Sequence, residues 1–519
     1  MPNFDPYSNY GYAGLVKETT AGTAVTPSNY LRIISESLAA NYATQPINEV
    51  AGDRERLRRS VEGQIEVSGD IEFFVEPKMI GHFLRSVLGA PTTQTLTAAT
   101  AFRHTFAVGT PLTYTFDVQV ADAPWVHRYF GLFITNLNLT REENAIKATA
   151  SCVARKAFTQ ARVTTAANSG TALTVDQTAG LTTSDTIIVL QKEDGYTTVA
   201  EYTISAIVSE TALTVSTIST QIDVDDIVVI KRFAVSQANY DMDDPFTFQG
   251  GTQVYVGDDI DNTSEESKED MELSLVNEVE ARYCSGLERE DRFAADILIK
   301  GFTATGQITK YYDTQSYLDK VRNNAEFGFR ALMQGETAIE ANASAKARTY
   351  WGTGNGFYVE ASTAGKAGND INVTLAIAAN DTLAASISGN NVLVALANTT
   401  AAKNTGTLIA AAVNALAGVD SVVEGTGATE FTAAVTNQNL GDTISGSTAA
   451  VVGRDASEKP YLQFDYAAAL ADNFSVNNTE DDIVTQEIPL MFQKDVDSSD
   501  DQRKGYTAKV RLVNDVSAY

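Results

Sequence analysis

One stretch constrains what the rest of the chain can fold into. From Ser60 to Glu76 the sequence reads SVEGQIEVSGDIEFFVE. Glu62, Gln64, Glu66, Ser68, Asp70 and Glu72 hold the even positions; Val61, Gly63, Ile65, Val67, Gly69, Ile71 and Phe73 hold the odd ones. A period of two sustained this long specifies a β-strand, or two in a hairpin, because successive strand side chains point to opposite faces. One face is apolar and requires a core, while the other is wet and acidic. That second face is either an outer sheet surface or the lining of something.

The neighbouring sequence builds a module around this stretch. Pro77 ends the alternation and opens an expected helix, KMIGHFLRSVLG, with Gly89 as its C-terminal cap. Met79, Ile80, Phe83, Leu84 and Val87 give that helix one apolar face. Upstream, residues 14–27 lead through Tyr30 and Ile33 into a strand expected to end near Leu38, and DRERLRR at 53–59 reads as a charged hairpin tip or flap. Downstream come a strand around Arg103–Phe106 and two alternating strands, Tyr129–Thr140 and Ala145–Val153, joined by the turn REEN. Residues 1–159 are therefore a first module, opened by an extended Tyr-rich arm. Residues 160–233 are poor in charge and carry TALTV twice, at Thr171–Val175 and Thr211–Val215. Asp185 and Ile188 recur as Asp225 and Val228, so the segment reads as an inserted small β-domain of two similar halves.

A longer echo runs through the chain. A shift of 237 residues places Gly69 on Gly306 and Ile71 on Ile308, and sets Glu66, Ser68, Asp70 and Glu72 on Thr303, Thr305, Gln307 and Thr309 without changing pleat parity. A helix is expected after each copy, Thr314–Ala325 in the second. A second module is thus expected in 234–352 plus 456–519, interrupted at 353–455 by an α+β insert. In that insert AGNDINVTLAI and NNVLVALA read as strands and TGTLIAAAVNALAG as a helix. The closing strands Val484–Gln493 and Tyr506–Val513 are expected to mirror the pair that ends the first module. The fold class is mainly β: two sandwich or barrel modules, each with a flanking helix, plus a small β insert and an α+β insert.

Chemistry is hard to find in these residues. The formal net charge of −28 opposes tight phosphate binding, which relies on Lys and Arg. The acids are unevenly spread, and the densest run, Gly257–Glu272, reads as a solvated loop. His82, His104 and His127, read as lying in a helix, a strand and a loop, lack metal-ligand spacing. Cys152 and Cys284 form no CxxC and read as buried thiols made in a cytoplasm. GTGNG near Asn355 lacks the lysine and following helix of a phosphate loop, and no GxSxG or EF-hand spacing occurs. Carboxylate pairs such as Glu66 with Asp70 and Asp258 with Asp259 are expected in a chain with 66 acids. No enzyme, metal or cofactor is expected, and no apolar run reaches membrane-spanning length.

Three stretches together, GLVKETTAGTAVTP, EVSGDIEFFVEPKMIGHFLRSVLGAP and HTF at His104–Phe106, with the paired strands that follow, resemble the tail tube (major tail) proteins of long-tailed, siphovirus-like bacteriophages. The resemblance covers most of 1–158 and, more weakly, 236–350 and 457–519, leaving the inserts outside as surface decorations. It implies β-sandwich modules whose strands continue one another into a closed ring, rings stacked into a tube in the virion tail, and DNA passing through the bore at ejection. Six modules per ring would make a duplicated chain a trimer with pseudo-sixfold symmetry. A tape measure protein and a tail terminator are the implied partners, with no sequence-specific DNA contact. Glu62, Glu66, Asp70 and Glu72, with Thr303, Thr305, Gln307 and Thr309 in the second module, are the candidate bore lining. Another virion ring component, such as a terminator or baseplate hub, and a surface adhesin-like protein are the alternatives.

Overall fold

The computed structural model describes residues 13–48, 57–96, 101–119, 124–167, 169–193, 195–196, 199–232, 243–257, 260, 263–283, 292–311, 316–336, 339–341, 346–352, 354–441, 457–472, 475–477, 485–494 and 507–519. The fold is mainly β, with three α-helices among the described residues. The N-terminal arm, Asp53–Arg56 of the expected hairpin tip, the Asp258–Asp259 pair and Cys284 lie outside these residues.

The alternating stretch belongs to one 18-residue strand, and we label elements from its hairpin onward. β1 (Ala39–Asn48) runs antiparallel to β2 (Leu57–Phe74). The expected strand ending near Leu38 is instead two short pieces, Asn29–Leu31 and Ser35–Glu36, and β1 starts where it was expected to stop. AANYATQPIN has little alternation of its own; pairing with the strongly patterned β2 makes it a strand. Ile65, Val67, Ile71 and Phe73 of β2 are buried, as their parity demands. Val61 shares their face but is 51% exposed, because Ser60–Glu62 are exposed on both faces and the hairpin there overshoots the core. Gly69 lies where the chain crosses closely: a Cβ there would stand 2.5 Å from the Ser37 carbonyl oxygen.

α1 (Ile80–Leu88) follows Pro77, and the Gly89 amide closes it on the Arg85 carbonyl at φ 104°, a conformation that favours glycine. The helix buries Ile80, Phe83, Leu84 and Val87. β3 (Trp125–Glu142) and β4 (Ala145–Ala154) form the expected hairpin, with β4 also paired to β2. His127 lies within β3 rather than in a loop.

A similar set of elements recurs downstream. β5 (Asp270–Arg282) pairs with β6 (Asp296–Tyr311), and α2 (Ser316–Asn323) follows. β7 (Tyr461–Ala471), β8 (Ser475–Asn477), β9 (Thr485–Gln493) and β10 (Lys509–Asn514) complete it. The last two strands do not form the expected pair. β9 lies against β6, β7 and β8, whereas β10 lies between β7 and the strand Ala101–Ala107 of the first set. Burial explains the separation. β9 alternates buried and exposed residues, fitting a sheet with one wet face, but β10 from Val510 to Asn514 is buried throughout and belongs inside. The counterpart of the β3–β4 hairpin is therefore β7 with β9. Part of the acidic run expected to be a loop is also strand, at Thr263–Glu266 and the start of β5.

One hydrophobic core joins the two sets, from Ile71, Phe83 and Leu137 to Leu275, Ile308, Phe329 and Phe492. The small β-domain has its own core around Ile187, Tyr202, Leu213 and Ile230. Its halves pair as Leu173 with Leu213 and Ile188 with Val229. The repeat lengthens within the domain. TALTV recurs after forty residues, but Asp185 matches Asp226 rather than Asp225, since each accepts from the amide three residues earlier and each follows a positive-φ residue, Ser184 or Asp225. The α+β insert packs a short helix, Gly406–Val413, with strands that include Asn372–Ile377 and Asn391–Leu396, over a separate core.

Candidate functional site

The two hairpin sets share one sheet. Its lateral order is β1, β2, β4, β3, β5, β6, β9 and β7, eight strands paired edge to edge. Residues directly opposite one another in a sheet project from the same face. One row therefore runs Ser35, Glu72, Thr149, Asn138, Ser274, Thr305, Met491, Leu470. The next runs Asp70, Ser151, Asn136, Val276, Thr303. A third joins Asp270, Thr309 and Glu487, and a fourth Glu272, Gln307 and Pro489. All of these lie opposite the shared core. Glu66, Asp70, Thr303 and Thr305 are exposed, while Glu72, Gln307 and Thr309 are half-buried.

The face is thus mostly hydroxyl and amide, with carboxylates set into it. Sequence reasoning placed Glu66, Asp70, Glu72, Thr303, Thr305, Gln307 and Thr309 on this surface and missed the residues between them: Thr149, Ser151, Asn136, Asn138, Ser274 and Glu272. Their signal was present in the alternation of LFITNLNLT and MELSLV, whose polar positions, Glu272 apart, hold small neutral groups rather than charges. Glu62 stands apart at the overshooting end of β2, where Arg292 donates to it at 2.7 Å and also to the Gly63 carbonyl. Lys147 lies 3.6 Å from Glu72 and 3.1 Å from Glu142. The hydrogen bond that Lys147 donates to Glu142, with attraction to both carboxylates, holds this ammonium above the usual lysine range against some desolvation. Asn138 donates to Glu272 at 2.8 Å, and Ser274 donates to Asn136 at 2.8 Å, both across the joint between sets.

That joint is the pairing of β3 with β5, Leu137 opposite Leu275 and Leu139 opposite Leu273. On its dry side Asn277 is buried and donates to the carbonyls of Val87, in the last turn of α1, and Ile134. β5 has a bulge at that position, between Glu278 and Val279, and β1 has one between Tyr42 and Thr44.

A second feature escaped the sequence reading. Arg128 of β3 is fully buried between Asp117 and Asp185. Its Nε and Nη2 donate to Asp117 at 2.7 and 2.8 Å, Nη1 and Nη2 to Asp185 at 2.6 and 3.2 Å, and Nη1 to the Gly180 carbonyl at 3.0 Å. Burial pushes the Asp117 carboxyl up, and Arg128 opposes that shift. Asp185 belongs to the small β-domain, so this triad fastens the domain to the first module.

Two histidines and a cysteine lie in internal contacts away from this face. His82 is buried on α1, where desolvation and then Arg85 lower its pKa to about 4. His104 donates from Nε2 to the Val516 carbonyl at 2.9 Å, and its Nδ1 shares a hydrogen bond of 2.9 Å with the Thr93 hydroxyl. Cys152 is buried, and desolvation raises its thiol far above the usual range. Among the described residues no cluster of three His, Cys, Asp or Glu side chains is arranged to hold a metal ion, and no helix is long and apolar enough to cross a membrane.

Residues 9–236 match the family model described as phage tail tube protein. The match runs through the small β-domain at 160–233, which the residue-level resemblance had left outside. No curated protein matches the chain.

Proposed function

We infer the function of this chain from the match of residues 9–236 to the family model described as phage tail tube protein. It is a structural phage tail component, and the finer reading is as follows. The chain carries two tube modules, three copies close into a ring with the polar sheet face inward, rings stack into a tube, and DNA moves along that face at ejection. A tape measure protein within the bore and a tail terminator at its end are the corresponding partners.

The observation that carries this reading is the β3–β5 joint. Within one chain, the edge of one hairpin set already continues into the next, in register, with one side wet and the other dry. Repeating that joint between copies removes the exposed sheet edges that otherwise promote uncontrolled aggregation. Three copies of an eight-strand arc give a closed sheet of about 24 strands, and barrels of about 16–18 strands already leave an aqueous channel.

The chemistry of the face suits passage rather than capture. Cationic contacts to phosphate would each add affinity and hold the duplex. Here the lysine on the face, Lys147, is flanked by two carboxylates. Exposed acids repel phosphate only within roughly 10 Å at physiological salt, enough to keep DNA off the wall. The test is Glu66→Lys with Asp70→Lys in assembled virions. Ejection slows, and its dependence on salt steepens. Unchanged ejection kinetics at all salt concentrations would remove these residues from the bore; purified chain that never forms rings or tubes under electron microscopy would overturn the tube reading itself.

A further inference from the structure

We propose that an apolar mouth beside β1 receives the second module of another copy of this chain, and that the small β-domain is part of this contact rather than a decoration. The proposal rests on the ring reading and specifies its intermolecular joint. The mouth encloses about 590 Å³ and is lined by Leu38 and Tyr42 at the β1 edge, Trp125 of β3, and Leu190, Ile227 and Val229 of the small β-domain. Among the described residues the far edge of β1 has no strand partner. Tyr42 is 59% exposed.

The internal joint shows what covers such an edge. β5 corresponds to β1, with the same hairpin pairing and a bulge in the same place, so Asn277 occupies the position of Tyr42. Asn277 is buried under the last turn of α1 and against Ile134. The equivalents of those two contacts in the second module can be read from its own register. Ile80, Leu84 and Val87 of α1 correspond at a shift of 237 to Tyr317, Val321 and Asn324, which places Asn324 at the end of α2. The row Ser68, Val153, Phe133 corresponds to Thr305, Met491, Leu470, so Ala471 takes the place of Ile134. Tyr42 of one copy therefore packs between Asn324 and Ala471 of the next, and β1 pairs alongside β8.

Chemical size fits the substitution of partners. The internal joint uses a small amide that donates two hydrogen bonds into a closed seam, whereas the mouth at β1 is larger and apolar. An aromatic there offers area with few rotamers to immobilise. The mouth is widened on its outer side by Leu190, Ile227 and Val229, which gives the small β-domain a share of the interface.

The experiment uses the full chain in a Cys284→Ser background with Tyr42→Cys and Asn324→Cys, oxidised after assembly; Cys152 is buried and does not compete. The expected product is a covalent ladder of dimers and trimers that appears only in rings or tubes. Double-cysteine tubes that yield only monomers on denaturing gels would overturn the proposal while leaving the ring reading intact. A parent chain that never forms rings removes the ring reading instead. Tyr42→Asp and Ile227→Asp each reduce assembly at least tenfold with unchanged circular dichroism, and Val208→Asp, on an exposed strand of the same small domain, assembles normally. Normal assembly of Tyr42→Asp would refute the mouth as an interface, and normal assembly of Ile227→Asp would refute the role of the small domain. A cysteine variant that folds but does not assemble counts with Tyr42→Asp.

Discussion

Replacing Arg128 with methionine tests whether the small β-domain is built into the first module or merely attached to it. All five guanidinium N–H groups have acceptors: two bonds to Asp117, two to Asp185 and one to Gly180. All three charged side chains are wholly buried. Methionine fills most of the space but leaves two carboxylates facing one another without a cation. Removing one partner of a buried ion cluster costs about 3–5 kcal/mol, chiefly because the remaining charge stays desolvated. Adding Asp117→Asn removes one stranded charge and recovers part of that loss, so the double variant is more stable than Arg128→Met alone. Trp125 lies three residues away on the same strand, and with Trp351→Phe it becomes the sole tryptophan and a local reporter. At urea slopes of about 2–3 kcal/mol/M, the fluorescence midpoint moves down by about 1–2 M. A shift below about 0.3 M, or a double variant weaker than the single, would refute the claim that the triad is desolvated and that it fastens the domain.

Two further predictions concern the seam between α1 and the last residues of the sequence. His82 titrates near pH 4 in the folded chain and near 6.5 when unfolded. Because its folded pKa is depressed, stability is full above about pH 6.5, falls as pH drops toward 4, and is flat for this group below that. The loss is about 3 kcal/mol at most, and a His82→Gln variant has a flatter pH profile in chemical denaturation. Gly81 is helical, so helix propensity alone would make Gly81→Ala stabilising by up to about 1 kcal/mol. A methyl there overlaps the Tyr519 ring, which is wedged edge-on against His82 and His104, so we expect a lower melting temperature that Tyr519→Ala partly relieves.

How much of this was legible in the sequence follows from where each signal lives. The β2 alternation, α1 with its proline and glycine ends, and the β3–β4 hairpin are local patterns, and local patterns survive tertiary packing. β1 was missed because its pairing partner, not its own residues, makes it a strand. The β9–β10 pairing failed for a related reason. Two alternating strands joined by a loop look like a hairpin, yet burial on both faces sends β10 into the interior, where it bridges both modules. For the candidate site, the carboxylates of β2 drew notice because they are charged. The Ser, Thr and Asn residues of β3, β4 and β5 did not, although they make up most of the face. Arg128 was visible only as a cation inside an apolar strand. Its partners lie 11 and 57 residues away, beyond any periodic signal.

The two joints of the proposed ring differ in chemistry, and that difference follows from having two modules in one chain. A joint inside the chain forms at folding and pays none of the translational and rotational cost of association, estimated at about 4–15 kcal/mol. It can therefore rest on a short strand pairing and a buried amide that fixes geometry, which is what Asn277 supplies. A joint between chains must overcome that cost with buried apolar area, and the mouth at Tyr42, Trp125, Ile227 and Val229 offers it. Fusing two modules halves the number of such closures in a six-module ring. It also frees the second module's wet face from matching the first. Glu66 and Asp70 on one arc have Thr303 and Gln307 at the equivalent positions on the other, where Asp270, Glu272 and Glu487 supply the carboxylates instead, so the acids of the proposed bore are set differently on successive arcs. In that proposed ring, passing DNA would meet acids placed differently on successive arcs, and Lys147 on the same face is held by Glu72 and Glu142.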